Sequence, residues 1–166
     1  MPLLFWDASA LAKRYVREIG TDAINTIFAA VPATSMATTV WGYAETFAIL
    51  LRNMNGGRLD KPTFTTVAAA LRHEVIGSPD FGFLNVDDVA VLASLPLIQR
   101  HNLNSMDATL LSVLLRHAQA QPPDAPRYVV VSADRRLLRA AEEEGFTTIN
   151  PESTPAADVP ALLAHP

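Results

Sequence analysis

A chain of 166 residues that is 49% hydrophobic and 18% charged can build one sizeable core but is too short for two ordinary domains. Its net charge of −4 excludes holding nucleic acid by overall positive charge, and the absence of cysteine excludes disulfides and thiolate metal sites, so any metal must sit on oxygen or nitrogen. No apolar run approaches the roughly 20 residues that span a bilayer, and the N-terminus has neither the basic region nor the cleavage site of a signal peptide, so a cytoplasmic protein with no membrane contact is expected.

In chain order, short apolar runs alternate with helical patterns, which is the βαβ signature of an α/β protein with a parallel sheet. LLFW at 3–6 predicts a buried strand, followed by a helix over SALAKRYVRE and a second over 21–30, with Gly20 as the stop between them and Thr21 as a cap. ATSM at 33–36 predicts a weak strand. A long helix is expected from Thr39 to Asn53, ending at Gly56 and Gly57, and Asp60 with Pro62 opens another that reaches Val75. FLNV at 83–86 reads as an edge strand, and Asp87 or Asp88 caps a helix that Pro96 interrupts. Ser105 starts the helix MDATLLSVLLRHA. After the loop PPDAP, YVVV at 128–131 is the clearest strand, ADRRLLRAAEEE is a helix ended by Gly145, and FTTIN is the last strand. The proline-rich tail from Pro151 is expected to lie over the surface.

Asp7 and Asp134 both follow strands at the carboxyl edge of the sheet, where open α/β sheets place ligands. Either acid, or Ser9 or Ser132, would equally serve as a helix cap, and Asp107 in the first turn of its helix suits the helix dipole. Glu45 lies mid-helix among Trp41, Ala44, Phe47 and Ala48, with no basic residue before Arg52. On a buried face such a carboxylate needs a cation, whereas on a solvated edge it needs nothing. Four converging acids would suit a hard divalent ion such as Mg²⁺. His73, His101, His117 and His165 are scattered and read as surface residues, so zinc is not expected. Ser9 and Ser132 lack a nearby histidine and read as caps or as hydroxyls that orient a metal-bound water.

The segments FWDASALAKRY, TSMATTVWGYAE, NSMDATLL and VVVSADRRLLRAAEEEGFTTINP, in this order and spacing, resemble the PIN-domain ribonucleases, and among them the VapC toxins of toxin–antitoxin pairs. The likeness covers residues 3–151; the stretch 53–86 and the tail are less typical. It implies a single PIN-like nuclease domain over 1–150 with a proline-rich C-terminal extension over 151–166, and a parallel sheet of four or five strands flanked by helices on both faces. By position, Asp7, Glu45, Asp107 and Asp134 match the family's acidic metal-binding quartet, and Ser9 and Ser132 its small hydroxyl positions. The implied activity is cleavage of RNA by a water activated on Mg²⁺ or Mn²⁺, leaving a 5′-phosphate and a 3′-hydroxyl. The implied partners are an RNA substrate, a VapB-like antitoxin and a second copy of the chain.

A homodimer is also expected because the helix around Trp41 and Tyr43 and the helices at 10–30 offer more apolar surface than a small sheet covers. With four of the 17 acids set aside as metal ligands, acidic and basic residues balance at 13 each, and Lys13, Arg14, Arg17, Arg135, Arg136 and Arg139 are candidates for phosphate contact or for pairing with Glu142 to Glu144. Two rival readings remain: a catalytically silent PIN-like binding module, and an aspartate-phosphorylated protein, which would want a second Asp where Ser9 stands.

Overall fold

The computed structural model describes residues 1–164. A five-stranded parallel sheet carries the chain in the order β3-β2-β1-β4-β5, with β1 at Leu3–Trp6, β2 at Met36–Thr39, β3 at Gly82–Leu84, β4 at Tyr128–Val131 and β5 at Thr147–Ile149. The central strands are buried on both sides, so they are continuous apolar runs rather than alternating ones. Leu4, Trp6, Val129 and Val131 point into one core, and Phe5 and Val130, one residue out of phase, into the other.

Helices cover both faces. On the first lie α1 (Ala8–Leu11), α2 (Thr21–Ala30), α3 (Val40–Asn55) and α4 (Lys61–Leu71), with Leu11, Ile24, Ile27, Leu50 and Leu71 fully buried. On the second lie α5 (Asp88–Ala93), α6 (Leu95–His101), α7 (Ser105–Gln119) and α8 (Arg135–Glu143). The expected α/β architecture with a parallel sheet between two helical layers is therefore what the chain adopts.

Several boundaries differ from expectation. The helix after β1 is short: α1 passes into a 3-10 turn at Ala12–Arg14 and stops well before Glu18. Gly20, at φ +94°, caps α2, while the Thr21 hydroxyl bonds back to the Lys13 carbonyl at 3.0 Å. The strand read at 33–36 begins only at Met36, because Ala33–Ser35 forms a 3-10 turn. The helix expected to reach Val75 gives way at Arg72 to a π-helical turn, Arg72–Ile76.

The tail is no loose covering. Pro151 packs so tightly on Gly20 that a Cβ there would lie 2.8 Å from the Pro151 backbone. Beyond it α9 (Val159–Ala164) lies against α2 with Val159 fully buried in the first core. Residues 151–164 thus complete a core rather than extend from it. The helices at 10–30 likewise bury most of their apolar residues within the chain, while Ile19 between them is 74% exposed.

Candidate functional site

Asp7 leaves the central strand at its carboxyl end, with its N–H still bonded to the Val131 carbonyl at 3.0 Å. Its carboxylate caps α1. Oδ2 accepts the Ser9 N–H at 3.2 Å, the Ser9 hydroxyl, and the Ser132 hydroxyl at 2.9 Å. Each hydroxyl has a single proton, so both are committed to Asp7, and their lone pairs receive the N–H groups of Ala133 and Asp134, each at 2.9 Å. This net ties the turn after β1 to the turn after β4, where the strand order changes direction. The two serines therefore orient Asp7 itself, a role distinct from the cap or the orienter of a metal-bound water expected from the sequence. Asp7 is only 7% exposed, and among the described residues its Oδ1 accepts no hydrogen bond.

Asp107 stands in the first turn of α7, but the cap is Asn104, not Ser105. The Asn104 Oδ1 accepts the Asp107 N–H at 2.9 Å, and the Asn104 amide donates to Asp107 Oδ2 at 2.7 Å. Asn104 was not picked out from the sequence, although Asn-x-x-Asp ahead of an apolar helix is a reciprocal capping pattern. Asp134 caps α8 through Oδ1, which accepts the N–H groups of Arg136 at 2.8 Å and Leu137 at 3.3 Å. For Asp7 and Asp134 the capping role and the convergence on one edge hold together.

These three acids sense one another. Burial, then the charges of Asp7 and Asp134, push the Asp107 carboxyl up to about 6, against the Asn104 hydrogen bond and the Arg136 charge, which pull it down. Asp7, Glu45 and Asp107 line one recess of about 250 Å³, with Trp41, Asn104 and Met106 on its walls. A larger recess of about 480 Å³ lies at the opposite, amino edge of the sheet, beside Arg14 and Glu74.

Glu45 departs from the desolvated reading. It is exposed, and its Oε1 pairs with Arg52 at 2.8 Å two turns along α3. The face is a solvated edge, so this carboxylate has a cation of its own. His101 departs from the surface reading: it is buried, with Nδ1 3.0 Å from Glu143, the last residue of α8, and Nε2 2.7 Å from Glu144, its C-cap. His73 is exposed, His117 meets the Tyr128 hydroxyl at 2.7 Å, and His165 lies outside the described residues.

The basic residues sort in the same way. Lys13 is buried between Glu18 and Glu152, at 3.1 and 2.8 Å, and Arg14 is engaged by Glu74 and Asn25, so neither is available to phosphate. Arg17 lies 3.7 Å from Asp22, and Arg139 lies 3.7 Å from Glu143. Arg136 is exposed, makes no ion pair among the described residues, and acts electrostatically on Asp107.

Among the described residues no three acids or histidines form a ready-made metal cage. Zinc or calcium would want such a cage, whereas Mg²⁺ is held by one or two carboxylates and keeps several waters. A free Asp7 Oδ1 beside an Asp107 whose ionisation is opposed by its neighbours fits that smaller demand.

No family model matches the chain, and no curated protein matches it. Among solved structures it is similar to the crystal structure of PAE2754 from Pyrobaculum aerophilum, with a TM-score of 0.63 and 17% identity over 99% of this chain and 97% of that one. At that identity the likeness shows that the two chains share a fold.

Proposed function

We propose that the chain is a Mg²⁺- or Mn²⁺-dependent endoribonuclease of the PIN-domain family, acting in the cytoplasm as the toxin of a toxin–antitoxin pair. The observation that carries this reading is the gathering of Asp7, Asp107 and Asp134: burial first, and then the charges of Asp7 and Asp134, push the Asp107 carboxyl up to about 6, with only Arg136 opposing them by charge. Carboxylates gathered at a cost to their own ionisation mark functional sites. Asp7 and Asp107 would be the main holders of the ion, with Asp134 adding charge and Glu45, which already lines the recess, giving its carboxylate to the ion once released from Arg52. When bound, the ion supplies Lewis-acid activation of water and neutralises charge at phosphorus. Arg136 offers the opposite sign to an incoming phosphate.

The exposed apolar side chains Val89, Leu92 and Leu95 around α5 and α6, with Val40, Trp41 and Phe47 on α3, are the surfaces left to an antitoxin or a second copy. A catalytically silent binding module is favoured by one observation, the Glu45–Arg52 pair that already neutralises one of the four acids. Incubating the purified protein with structured RNA and Mg²⁺ or Mn²⁺, with and without EDTA, separates the two. Cleavage that EDTA and Asp107→Asn both abolish is expected. RNA that is bound but never cut favours the silent module, and cleavage that survives Asp107→Asn refutes the metal site.

A further inference from the structure

A second recess shares a wall with the acidic one. It measures about 200 Å³ and is lined by Val40, Trp41, Phe83, Leu84, Asn85 and Val86. Trp41 lines both recesses, so the two are neighbours that share a wall residue. The position follows from the sheet: Phe83 stands in register with Thr38 on the edge strand β3, and α3 starts immediately after β2. β3 ends and α3 begins at the carboxyl edge, with β2 lying between β3 and the strand that delivers Asp7.

The chemistry of this cleft is that of a planar, neutral guest with a polar rim. No charged side chain lines it. Trp41 and Phe83 are 40% and 37% exposed; Trp41 stacks on no other ring among the described residues, whereas the Phe83 ring lies 6.3 Å from that of Phe81. Exposed aromatic side chains of this kind are the platforms on which unstacked bases lie. The Asn85 side chain is exposed and makes no hydrogen bond within the described residues, which leaves an amide donor and an acceptor at the mouth. An amide presenting both matches the hydrogen-bonding edge of a base. A nucleotide carries its base one sugar away from its phosphate, and here Trp41 is common to the apolar cleft and to the recess that holds the carboxylates.

We infer that the cleft between Trp41 and Phe83 is a nucleobase subsite, which takes one unstacked base of a single-stranded RNA beside the phosphate to be cut, with Asn85 at its hydrogen-bonding edge. This rests on the nuclease reading for its substrate and adds to it the element that selects sequence. Trp41 and Phe83 supply stacking, which tolerates any base, and Asn85 supplies the discrimination.

The test uses short single-stranded RNAs in which the base flanking the cut is varied. Phe83→Ala should raise KM roughly ten- to hundredfold with kcat little changed, as the loss of one stacking platform does. Asn85→Ala should flatten the preference for the flanking base while the protein still cuts. Unchanged KM and unchanged base preference in both variants, in a protein that cuts RNA, overturn the subsite and leave the nuclease standing. Intrinsic fluorescence supplies a readout that needs no cleavage, because Trp6 is fully buried and Trp41 is the open indole. Quenching by ribonucleoside monophosphates that Phe83→Ala abolishes keeps the subsite even if the wild type cuts nothing. No quenching together with no cleavage removes both readings. Shielding of Trp41 that follows protein concentration alone assigns the cleft to a contact between copies and overturns the subsite.

Discussion

Asn104 and Asp107 hold each other in a closed exchange: the amide oxygen of Asn104 takes the Asp107 N–H, and its amide nitrogen gives a hydrogen bond to the Asp107 carboxylate. The pair starts α7 and fixes the one carboxylate that both Asp7 and Asp134 oppose.

That opposition sets a pH dependence. The folded Asp107 keeps its proton up to about pH 6, whereas the unfolded chain releases it near 3.8, so between these values folding takes up a proton. The stability contributed by this group therefore falls as pH rises from about 4 to about 6. Denaturant titrations across that window should show the downward slope in EDTA, and Asp107→Asn, which cannot ionise, should flatten it. Added Mn²⁺ should stabilise the wild type more at pH 7 than at pH 5, because the ion competes with the proton. A slope that persists in Asp107→Asn assigns the effect to another group.

Gly42 lets α3 approach the sheet. A Cβ at that position would stand 2.4 Å from the Thr38 hydroxyl oxygen, which donates to the Trp6 carbonyl at 2.8 Å just before Asp7. Thr38 is fully buried and has no room to turn aside. Gly42→Ala should cost about 1–3 kcal/mol through overpacking, read as a lower melting temperature by roughly 3–10 °C. The double variant Thr38→Ala, Gly42→Ala should recover part of that loss, and failure to do so would place the clash elsewhere.

Glu45→Gln removes an exposed ion pair with Arg52. Such pairs contribute about 0.2–1 kcal/mol, less in salt, so the melting temperature should hardly move. Metal-dependent cleavage should nevertheless fall sharply if the carboxylate joins the ion when RNA arrives. A variant of unchanged stability and full activity removes Glu45 from the site and leaves a centre of three aspartates.

The sequence carried the architecture well where local chemistry decides it. YVVV and LLFW became the two central strands because their residues are apolar on both faces, and Asp60, Asp87 and Asp134 cap helices at the places their side chains suggest. The strand expected at 33–36 lies instead at Met36–Thr39, because Ala33–Ser35 forms a 3-10 turn and Thr39, which reads as a helix start, ends the strand and caps α3. In the fold Thr38 and Thr39 are both fully buried, their hydroxyls bonded to backbone groups. Partners distant in sequence were not legible: Glu152 reaching Lys13 across the tail, Glu143 and Glu144 enclosing His101, and Glu74 meeting Arg14. Each places a side chain that reads as exposed or as a candidate for phosphate contact in a structural contact instead. Of the site, the aspartates were legible from their places after strands or at a helix start, while the Asn104 amide and the isolation of Arg136 emerged only from packing.

The placement of Asp7 on the middle strand has a consequence for hydrogen exchange. β1 is bonded to β2 on one side and β4 on the other, so its amides open only when the sheet does and should exchange at the rate of global unfolding. β3 is an edge strand of three residues, with a partner on one side alone. The wall that carries Phe83 can therefore fray and re-form on a short timescale while the Asp7 carboxylate stays where the serines hold it. The chain thus places its charge on its slowest element and its shape selection on one of its fastest.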